Sequence, residues 1–535
     1  MTALPLDATT DLVAGNDRAL DVIDALVTRA GVVGVVGNAA AMGAAVWGVR
    51  ELADHLQANR STVNRALQGL TARHIAREVN GSYTIGRRLQ ILMDALFRRH
   101  RALGPAGDSL ARLGTECDAT AMLAVQGADV EAFAALVHAR PGPVRYNLTP
   151  GMALPLHAGA AGRAILMELG MPVLDHARLQ QFSSDTVTDR RRLAAEIADA
   201  QEQGYVMSVG QHIPLAAGVA APFRLPSGLV GAVSITRSRY ETDDADLSRF
   251  APLAVAAARQ ITDLSADHHA EPLRPRDRAR DRVAGQPGGA LSRIIYLIET
   301  LVAHPDGLTA TNRDLARRLG ATPPTTQRLR GSALLAGLTT TRQADELFPG
   351  PLLLKWAAIL GPHVDLNAVV QPEIDQLSTE TGETIGFVRY DPATTTATMS
   401  AVASNNGNPL TYGLAADVTI PLYAGAAGKA ILAHCPQDVI DDQQLEPINP
   451  GAVIDPDQLH AELNTIRQHG YATADGERIP DAYGLAAPVF TNGTVSGSVT
   501  ISIPSYRVAQ ADLPTLATAL TAATHRLSWL LTTTD

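Results

Sequence analysis

The 535-residue chain has a formal net charge of −10 and is 46% hydrophobic but only 4% aromatic. This length predicts several domains, and the low aromatic content predicts cores built from Ala, Leu, Val and Ile. The acidic balance excludes a uniformly basic nucleic-acid binder, although a local basic surface is compatible with it. The two cysteines, Cys117 and Cys435, have no partner at metal-ligand spacing, so we expect neither a disulfide framework nor a metal site.

The start of the chain has no basic segment followed by an apolar run, so no secretory signal is expected. Residues 31–49 are nearly as long as a membrane span, but they are rich in Gly and Ala and include Asn38. We interpret them as an insertion within a domain. The expected location is the cytoplasm, with no membrane partner.

A winged helix-turn-helix pattern follows this insertion. Two short amphipathic helices, over residues 49–56 and 60–70, are predicted on either side of a three-residue turn. Residues 77–85 contain Asn80 and Gly81 at their centre, which is the strongest two-residue signal for a β-hairpin and predicts the wing. In such a motif the second helix enters the major groove of DNA.

The exposed face of this second helix carries side chains that suit DNA. Arg can form paired hydrogen bonds with guanine and Asn or Gln with adenine, while further Arg side chains neutralise phosphates. Arg73 and Arg88 are also expected to lie near phosphates. The alternative is a helical hairpin whose arginines are only solvated. The predicted DNA contacts of this head are Arg60, Ser61, Thr62, Asn64, Arg65, Gln68, Arg77 and Arg87.

The chain then repeats itself. The motif PLHAGAAGRAIL, which begins at Pro155, recurs 266 positions later as PLYAGAAGKAIL, and GYV at Gly204 recurs at the same distance as GYA. Upstream, IDALV at Ile23 matches IETLV at Ile298. Matches in one order and at nearly one offset indicate a tandem duplication.

The second copy repeats the head with weaker DNA chemistry. Helices are predicted over residues 312–319 and 324–335, and the wing over 339–349 contains two acids, which weaken phosphate contact. Val63 and Leu67 of the first copy correspond to Thr326 and Arg330, so two core contacts are expected to be lost or shifted. Weak binding, or binding to a different half-site, is therefore expected. The candidate DNA contacts are Thr325, Thr326, Gln327 and Arg328.

Taken together, these motifs resemble a known family. Residues 18–23, 50–70 and 81–89 resemble the head of an IclR-type regulator. Residues 155–166 and 219–223, with Gly204 and Tyr205 between them, resemble the effector-binding domain of that family. A tandem fusion departs from the usual one-copy chain and puts the usual homo-oligomer in doubt, and self-association of the fused chains stays open.

This resemblance implies an α/β (α+β) chain with two winged helix-turn-helix domains and two GAF/profilin-like effector-binding domains, each an antiparallel sheet flanked by helices. The predicted boundaries are residues 12–88 for the first head, 89–265 for the first sensor with a linker helix over 89–103, 266–289 for a flexible linker, 290–351 for the second head and 352–535 for the second sensor.

Each sensor contains a bend of small residues that runs into a helix, whose free N–H groups favour a carboxylate. Strands over residues 229–236 and 495–502 each present two hydroxyls on one face. The family resemblance implies that bend, strand and the loop after Gly-Tyr form the pocket. The implied ligand contacts are Ala160, Ala161, Ser208, Gly218, Ser234 and Thr236 in the first copy, and Ala426, Ala427, Ala474, Gly484, Thr500 and Ser502 in the second.

The sequence contains no phosphate-binding loop, metal-ligand spacing or nucleophile elbow, so we expect no enzyme, no metal and no cofactor. The predicted function is a ligand-responsive transcriptional regulator that binds a double-stranded DNA operator as a single-chain pseudo-dimer. The expected effector is a small organic acid, with an aromatic carboxylate favoured by Phe223 and Tyr423, and the expected target is a catabolic operon. A sensor or scaffold that does not bind DNA is the alternative, and His157 is expected to be a hydrogen-bonded core residue.

Overall fold

The protein is described from a computed structural model over residues 10–34, 45–128, 130–141, 146–266, 271–272, 289–361, 366–404, 414–449, 452–453 and 455–533. The described residues up to 361 form one compact unit, and those from 366 onward form a second. Most of the predicted linker and residues 35–44 of the predicted insertion lie outside the described residues. Among the helices described, none has the length and apolar character needed to cross a membrane.

The first head has the predicted helices and wing. Its helices are α1 (Thr10–Gly34), α2 (Val49–His55) and α3 (Arg60–Thr71), and its wing pairs β1 (Ala76–Val79) with β2 (Ser82–Ile85). Helix α3 begins where the Asn59 side chain accepts a hydrogen bond from the Ser61 amide. It is held by Val63, Leu67 and Leu70, which are fully buried.

The wing turns at Asn80 and Gly81, which have φ values of +51° and +77°. Two positive φ values in succession define the tight hairpin turn whose twist matches that of the flanking strands. Trp47 adds an antiparallel bridge to Tyr83, and its indole N–H donates to the Ala25 carbonyl at 3.1 Å. The end of the 31–49 segment is therefore part of the head's sheet.

The second head repeats this arrangement with shorter strands. It contains α9 (Ala290–Ala303), β10 (Leu308–Thr309), α10 (Asn312–Arg318), α11 (Pro323–Leu335), β11 (Thr339–Thr340) and β12 (Glu346–Pro349), and Glu271–Pro272 (β9) pairs in parallel with β10. Thr326 keeps the place of Val63 in the core, with no exposed surface, and its hydroxyl donates to the Thr322 carbonyl at 3.1 Å. Arg330 is half-buried, and Leu329 is the apolar side chain that enters the core.

Each head ends in a helix, α4 (Arg87–Arg99) in the first copy and α12 (Pro351–Leu360) in the second. These two helices pack on each other, and each also packs on the first helix of the other copy: α1 contacts α12, and α9 contacts α4. Their apolar side chains belong to one continuous core. The two heads therefore pair within the first unit.

The first sensor is a six-stranded antiparallel sheet in the order β5-β4-β3-β8-β7-β6. Helices α5 (Ala106–Cys117) and α8 (Asp244–Ala266) pack on one face, and α6 (Ala160–Leu169) and α7 (Arg190–Gln203) belong to the other side. The strands are β3 (Thr120–Gln126), β4 (Glu131–His138), β5 (Ala153–Pro155), β6 (Val206–Val209), β7 (Ala216–Arg224) and β8 (Val230–Ser238), and a 3-10 turn covers Met171–Leu174.

The second sensor has the same topology, with strand order β15-β14-β13-β18-β17-β16. Its strands are β13 (Thr384–Asp391), β14 (Thr396–Ala403), β15 (Thr419–Ile420), β16 (Ala472–Asp475), β17 (Ala482–Thr491) and β18 (Thr494–Pro504). Its helices are α13 (Leu366–Thr381), α14 (Ala426–Leu432), α15 (Gln437–Asp441), α16 (Pro456–His469), α17 (Ser505–Val508) and α18 (Leu513–Leu531). The fold-class prediction of two heads and two helix-flanked antiparallel sheets is confirmed.

Candidate DNA-reading surfaces and effector pockets

The candidate DNA surface of the first head lies on α3 and the wing. Arg60, Ser61, Thr62, Arg65, Gln68 and Arg77 are exposed, whereas Asn64 and Arg87 are half-buried. Ser61 is partly engaged, because its hydroxyl contacts Asn59 Oδ1 at 3.0 Å as part of the helix cap. Within the described part of the chain, Arg60, Arg65 and Arg77 form no ion pair, so this surface presents three uncompensated positive charges.

Two arginines that we expected near phosphates have structural partners instead. The Arg73 guanidinium donates to the Ser292 hydroxyl at 2.6 Å and to the Gly69 carbonyl at 3.1 Å. Arg88 is fully buried and donates to Glu299 Oε1 from Nε at 3.0 Å and from Nη2 at 2.6 Å. Both arginines therefore join the first head to the second. The expected phosphate contact of Arg88 is wrong, because its side chain is fully buried, whereas that of the half-buried Arg73 stays a prediction.

Most candidate side chains on the corresponding surface of the second head are buried or hydrogen-bonded to other residues of the same head. Of its four candidates, Gln327 and Arg328 are exposed and Thr325 is half-buried, but Thr326 lies in the core and cannot present its side chain to DNA. The Gln327 side chain accepts a hydrogen bond from Asn312, whose own oxygen accepts from Arg330 at 3.1 Å. Arg328 is therefore the exposed cation of this helix, whereas Arg330 is half-buried and bound to Asn312.

The acids in the second wing differ in what they face. Glu346 is buried and pairs with Arg342 at 3.0 Å, so its charge is neutralised locally. Asp345 is exposed. Only Asp345 therefore remains as an acid that would repel a phosphate at this wing.

In the first sensor, all six candidate residues line one cavity of about 60 Å³. Ala160 and Ala161 lie in the first turn of α6, and Ser208 and Gly218 are paired across β6 and β7. The Ser234 and Thr236 hydroxyls project from the same face of β8 and lie 3.4 Å apart. The bend, the loop and the strand therefore meet as the family resemblance implied. The remaining wall is formed by Met122, Leu148, Leu154, Ala158, Gly159, Gly162, Gln211, His212, Ile213 and Ala216.

Gln211 and His212 also line this cavity, although neither was predicted from the sequence as a ligand contact. Gln211 accepts a hydrogen bond from Arg163 at 2.8 Å, and the buried Arg163 also pairs with Glu196 at 2.7 Å. Burial lowers the pKa of His212, and nearby His157 lowers it further, so the ring is neutral at neutral pH. The signal that could have identified both residues is the repeat itself, since GQHIP recurs as GERIP at the 266-residue offset.

The second sensor brings its candidate residues together by strand register. Ala474 is opposite Gly484, and Gly484 is opposite Ser502, so the three lie in one row across β16, β17 and β18. Thr500 lies two residues before Ser502 and therefore shares its face of the sheet. Ala426 is adjacent to this row, because a Cβ on Gly484 would lie 3.2 Å from the Ala426 Cβ, and Ala427 follows it in α14.

The chemistry at this second helix start differs from that of the first sensor. Glu477, the equivalent of Gln211, accepts a hydrogen bond from the Gly425 amide at 2.8 Å and from Lys429 at 2.5 Å. Lys429 also pairs with Glu462 at 2.8 Å. Arg478 stands where the first sensor has His212, and its burial lowers the pKa of the guanidinium. The Glu477 carboxylate therefore replaces the Gln211 amide, and the Arg478 guanidinium replaces the neutral His212 ring.

The three ring-bearing side chains singled out from the sequence of the sensors, His157, Tyr423 and Phe223, differ in where they lie. His157 is buried, and its Nε2 lies 2.8 Å from the Gln180 carbonyl oxygen, which fits the expected core role. Tyr423 has the equivalent contact, since its hydroxyl donates to the Glu446 carbonyl at 3.2 Å. Phe223 was expected beside the effector but belongs to the core on the α8 side of the sheet. It faces away from the cavity because it is an odd number of residues from Ala220, which faces the other core.

A larger, open cleft of about 870 Å³ lies elsewhere in the first unit, between α1, β4 and α12. Its lining mixes acids such as Asp21 and Glu131 with the cations Arg29 and Lys355. It shares no lining residue with the effector cavity of the first sensor. We assign it no ligand.

Comparison with known proteins identifies the family. The model of the bacterial transcriptional regulator IclR C-terminal domain matches residues 106–263 and again 361–529. The chain is 28% identical over 266 residues to the HTH-type transcriptional regulator BhcR of Paracoccus denitrificans, which covers 48% of this chain and 92% of BhcR. It is 30% identical over 151 residues to the uncharacterized HTH-type regulator RhmR of Escherichia coli, covering 26% of this chain and 54% of RhmR.

Solved structures of IclR-type regulators are similar as well. One from Alicyclobacillus acidocaldarius has 20% identity and a TM-score of 0.40, with 47% of this chain and 98% of that chain aligned. Another, from Silicibacter sp. TM1040, has 23% identity and a TM-score of 0.38, with 42% and 88% aligned. With the family model matched twice, the chain belongs to the IclR family of transcriptional regulators and carries its effector-binding module in duplicate. It is thus a regulator with helix-turn-helix heads rather than an enzyme.

Proposed function

We propose that this regulator binds a double-stranded DNA operator as a single-chain pseudo-dimer, with the first head providing most of the sequence recognition. The observation that carries this proposal is the contrast between the two recognition helices. The first presents Arg60, Arg65 and Gln68 to solvent, whereas in the second Gln327 and Arg330 are bound to Asn312. Because a side chain must give up its own partners before it reads a base edge, the second head is expected to contribute less.

A footprint with single substitutions tests DNA binding. We expect Arg65→Ala to lower the affinity for DNA upstream of the protein's own gene on the order of 10-fold at fixed salt. Arg259→Ala, which removes another exposed arginine on α8, is the control and should change the affinity little. Arg328→Ala is expected to have a smaller effect than Arg65→Ala. If Arg65→Ala binds as wild type does, the scaffold alternative is favoured instead. If wild-type protein does not protect this DNA, either the operator is distant or the scaffold alternative holds.

For the effector, we propose a small organic acid that binds in the first sensor. The N–H groups in the first turn of α6 attract a carboxylate through the helix dipole, and Ser208, Ser234 and Thr236 supply hydroxyls around the same space. Among the described residues that line the cavity there is no Lys or Arg, and nearby Arg163 is already bound to Glu196 and Gln211. Recognition would therefore rest on backbone and hydroxyl donors.

The cavity volume bears on the size of this acid. About 60 Å³ is well below the roughly 150 Å³ of an apolar cavity that holds a benzene molecule. Acids of two to four carbons suit this space, whereas the aromatic carboxylate that we favoured from sequence requires the cavity to open. Phe223 lies outside the cavity wall and Tyr423 belongs to the second sensor, so neither residue supports an aromatic effector in the first sensor. Control of a catabolic operon remains part of the proposal.

Calorimetry separates these effector classes. Titration with pyruvate and with benzoate compares a small acid with an aromatic one, and Ser234→Ala is expected to weaken binding of the preferred acid about 5-fold through the loss of one hydrogen bond. Ser248→Ala, at an exposed position of α8, serves as the control. An effector can shift the heads only if it binds their two arrangements with different affinity, so the bound acid should also change the footprint. Binding of neither acid would contradict the proposed effector class.

A further inference from the structure

The two heads pair through reciprocal contacts made by unlike residues. Helix α1 of the first copy packs on α12 of the second, and α9 of the second copy packs on α4 of the first. In a pair of identical heads, these two contacts would be the same. In this chain they can differ, because each copy has its own sequence.

The acceptors in the two contacts are equivalent residues. Asp24 lies in IDALV of α1, and Glu299 occupies the same position in IETLV of α9. Glu299 Oε1 accepts from the Arg88 guanidinium, with Nη2 at 2.6 Å. Asp24 Oδ1 accepts from the Trp356 indole N–H at 2.8 Å. Each acid therefore accepts a hydrogen bond from the final helix of the other head.

The donors, in contrast, are not equivalent. Aligned at Gly86 and Gly350, Arg88 corresponds to Leu352, and Trp356 corresponds to Leu92. The two positions are one helical turn apart, so they lie on the same face of α4 and of α12. Arg88 and Trp356 are both fully buried. The donor to Glu299 and the donor to Asp24 are thus different residue types at different positions of the final helices.

Two identical heads would not combine these donors with these acceptors. Two second-copy heads would place Leu352 and Trp356 opposite each Glu299, so neither acid would have a cation. Two first-copy heads would give each Arg88 the shorter Asp24 as its acceptor and put Leu92 where Trp356 fills space. A buried charge without its partner is strongly destabilising, and changed volumes in a packed core also cost stability.

We propose that these unlike contacts are a pairing code that makes a first-copy head pair with a second-copy head and disfavours pairs of identical heads. The code selects the partner, as polar residues and charges do in other specific interfaces. The partner this surface fits is therefore the other half of this chain.

Exchanging the code in the full-length chain tests this inference. One variant gives the second copy the first copy's residues, with E299D, L352R and W356L. Another gives the first copy the second copy's residues, with D24E, R88L and L92W. The third variant combines all six substitutions, so that the code is exchanged between copies rather than lost. Thermal unfolding of each variant is compared with that of Arg98→Leu, which removes an exposed arginine on the same helix α4.

We expect each three-residue variant to lose on the order of 5 °C in melting temperature or to fail to fold, and the six-residue variant to regain more than half of the loss. Arg98→Leu should melt within about 1 °C of wild type. Three-residue variants as stable as wild type would overturn the proposal. A six-residue variant that is no more stable than either three-residue variant, or that does not fold, would overturn it as well. Thermal unfolding requires neither DNA nor effector, so its result is independent of the proposed function.

Discussion

Replacing Arg88 by Leu is the most direct test of how the heads are held together. Leu is the residue that the second copy has at the equivalent position, so the helix tolerates it. The substitution leaves Glu299, whose side chain is 12% exposed, without its cation. Removing one partner of a buried ion pair costs about 3–5 kcal/mol, because the remaining charge is buried and uncompensated.

The companion variant removes the acid as well. Arg88→Leu with Glu299→Leu replaces both charges by apolar side chains in a region that is already a continuous core. Such replacements are often neutral or stabilising. We therefore expect the double variant to lie within about 1 kcal/mol of wild type, although it carries more substitutions than the single variant.

Urea unfolding combined with hydrogen exchange measures both effects. Peptides from α4 and α9 report the opening free energy of this interface directly. Arg98→Leu is the control, since its partner Asp94 lies in an exposed pair at 2.7 Å and is expected to contribute less than about 1 kcal/mol. The reasoning is refuted if Arg88→Leu lowers the free energy of unfolding no more than Arg98→Leu does. It is also refuted if adding Glu299→Leu to Arg88→Leu lowers that free energy further by a similar amount.

Three other predictions concern the sensors. Changing Gly159, which has φ +79° at the start of α6, to Ala should lower the free energy of unfolding by about 1 kcal/mol or more. Gly107→Ala, in the first turn of α5 where a Cβ meets no atom within 4 Å, should raise it by about 0.5–1 kcal/mol, both measured by urea unfolding. Because the pKa of His212 is held below 6.5, the unfolded chain binds a proton that the folded chain does not, and stability falls as the pH drops below about 6.5. His212→Gln should therefore show a smaller loss in urea midpoint between pH 7 and pH 5, and an equal loss would count against this assignment. Burial raises the pKa of the Cys117 thiol to about 11, so iodoacetamide at pH 8 should modify it only after unfolding; rapid labelling of the native protein would contradict this.

Much of the architecture could be predicted because it depends on local patterns. Val63, Leu67 and Leu70 lie on one helical face and are buried, and Asn80 and Gly81 adopt the positive φ values of a tight hairpin. The repeat at one offset indicated two copies, and strand alternation set which residues share a face. The six candidate residues of the first sensor were implied by the resemblance to the IclR family, and all six line one cavity.

The partners of individual side chains were decided only by tertiary structure. Arg77 and Arg88 look alike in sequence, yet one is exposed and the other is buried against Glu299, 211 residues further along the chain. Nothing local distinguishes a phosphate-facing arginine from one that is neutralised by a distant acid. The same holds for Gln211, which lines the effector cavity only because the loop after β6 folds back onto α6. Periodicity determines which side of an element is buried, but long-range packing determines what each buried group meets.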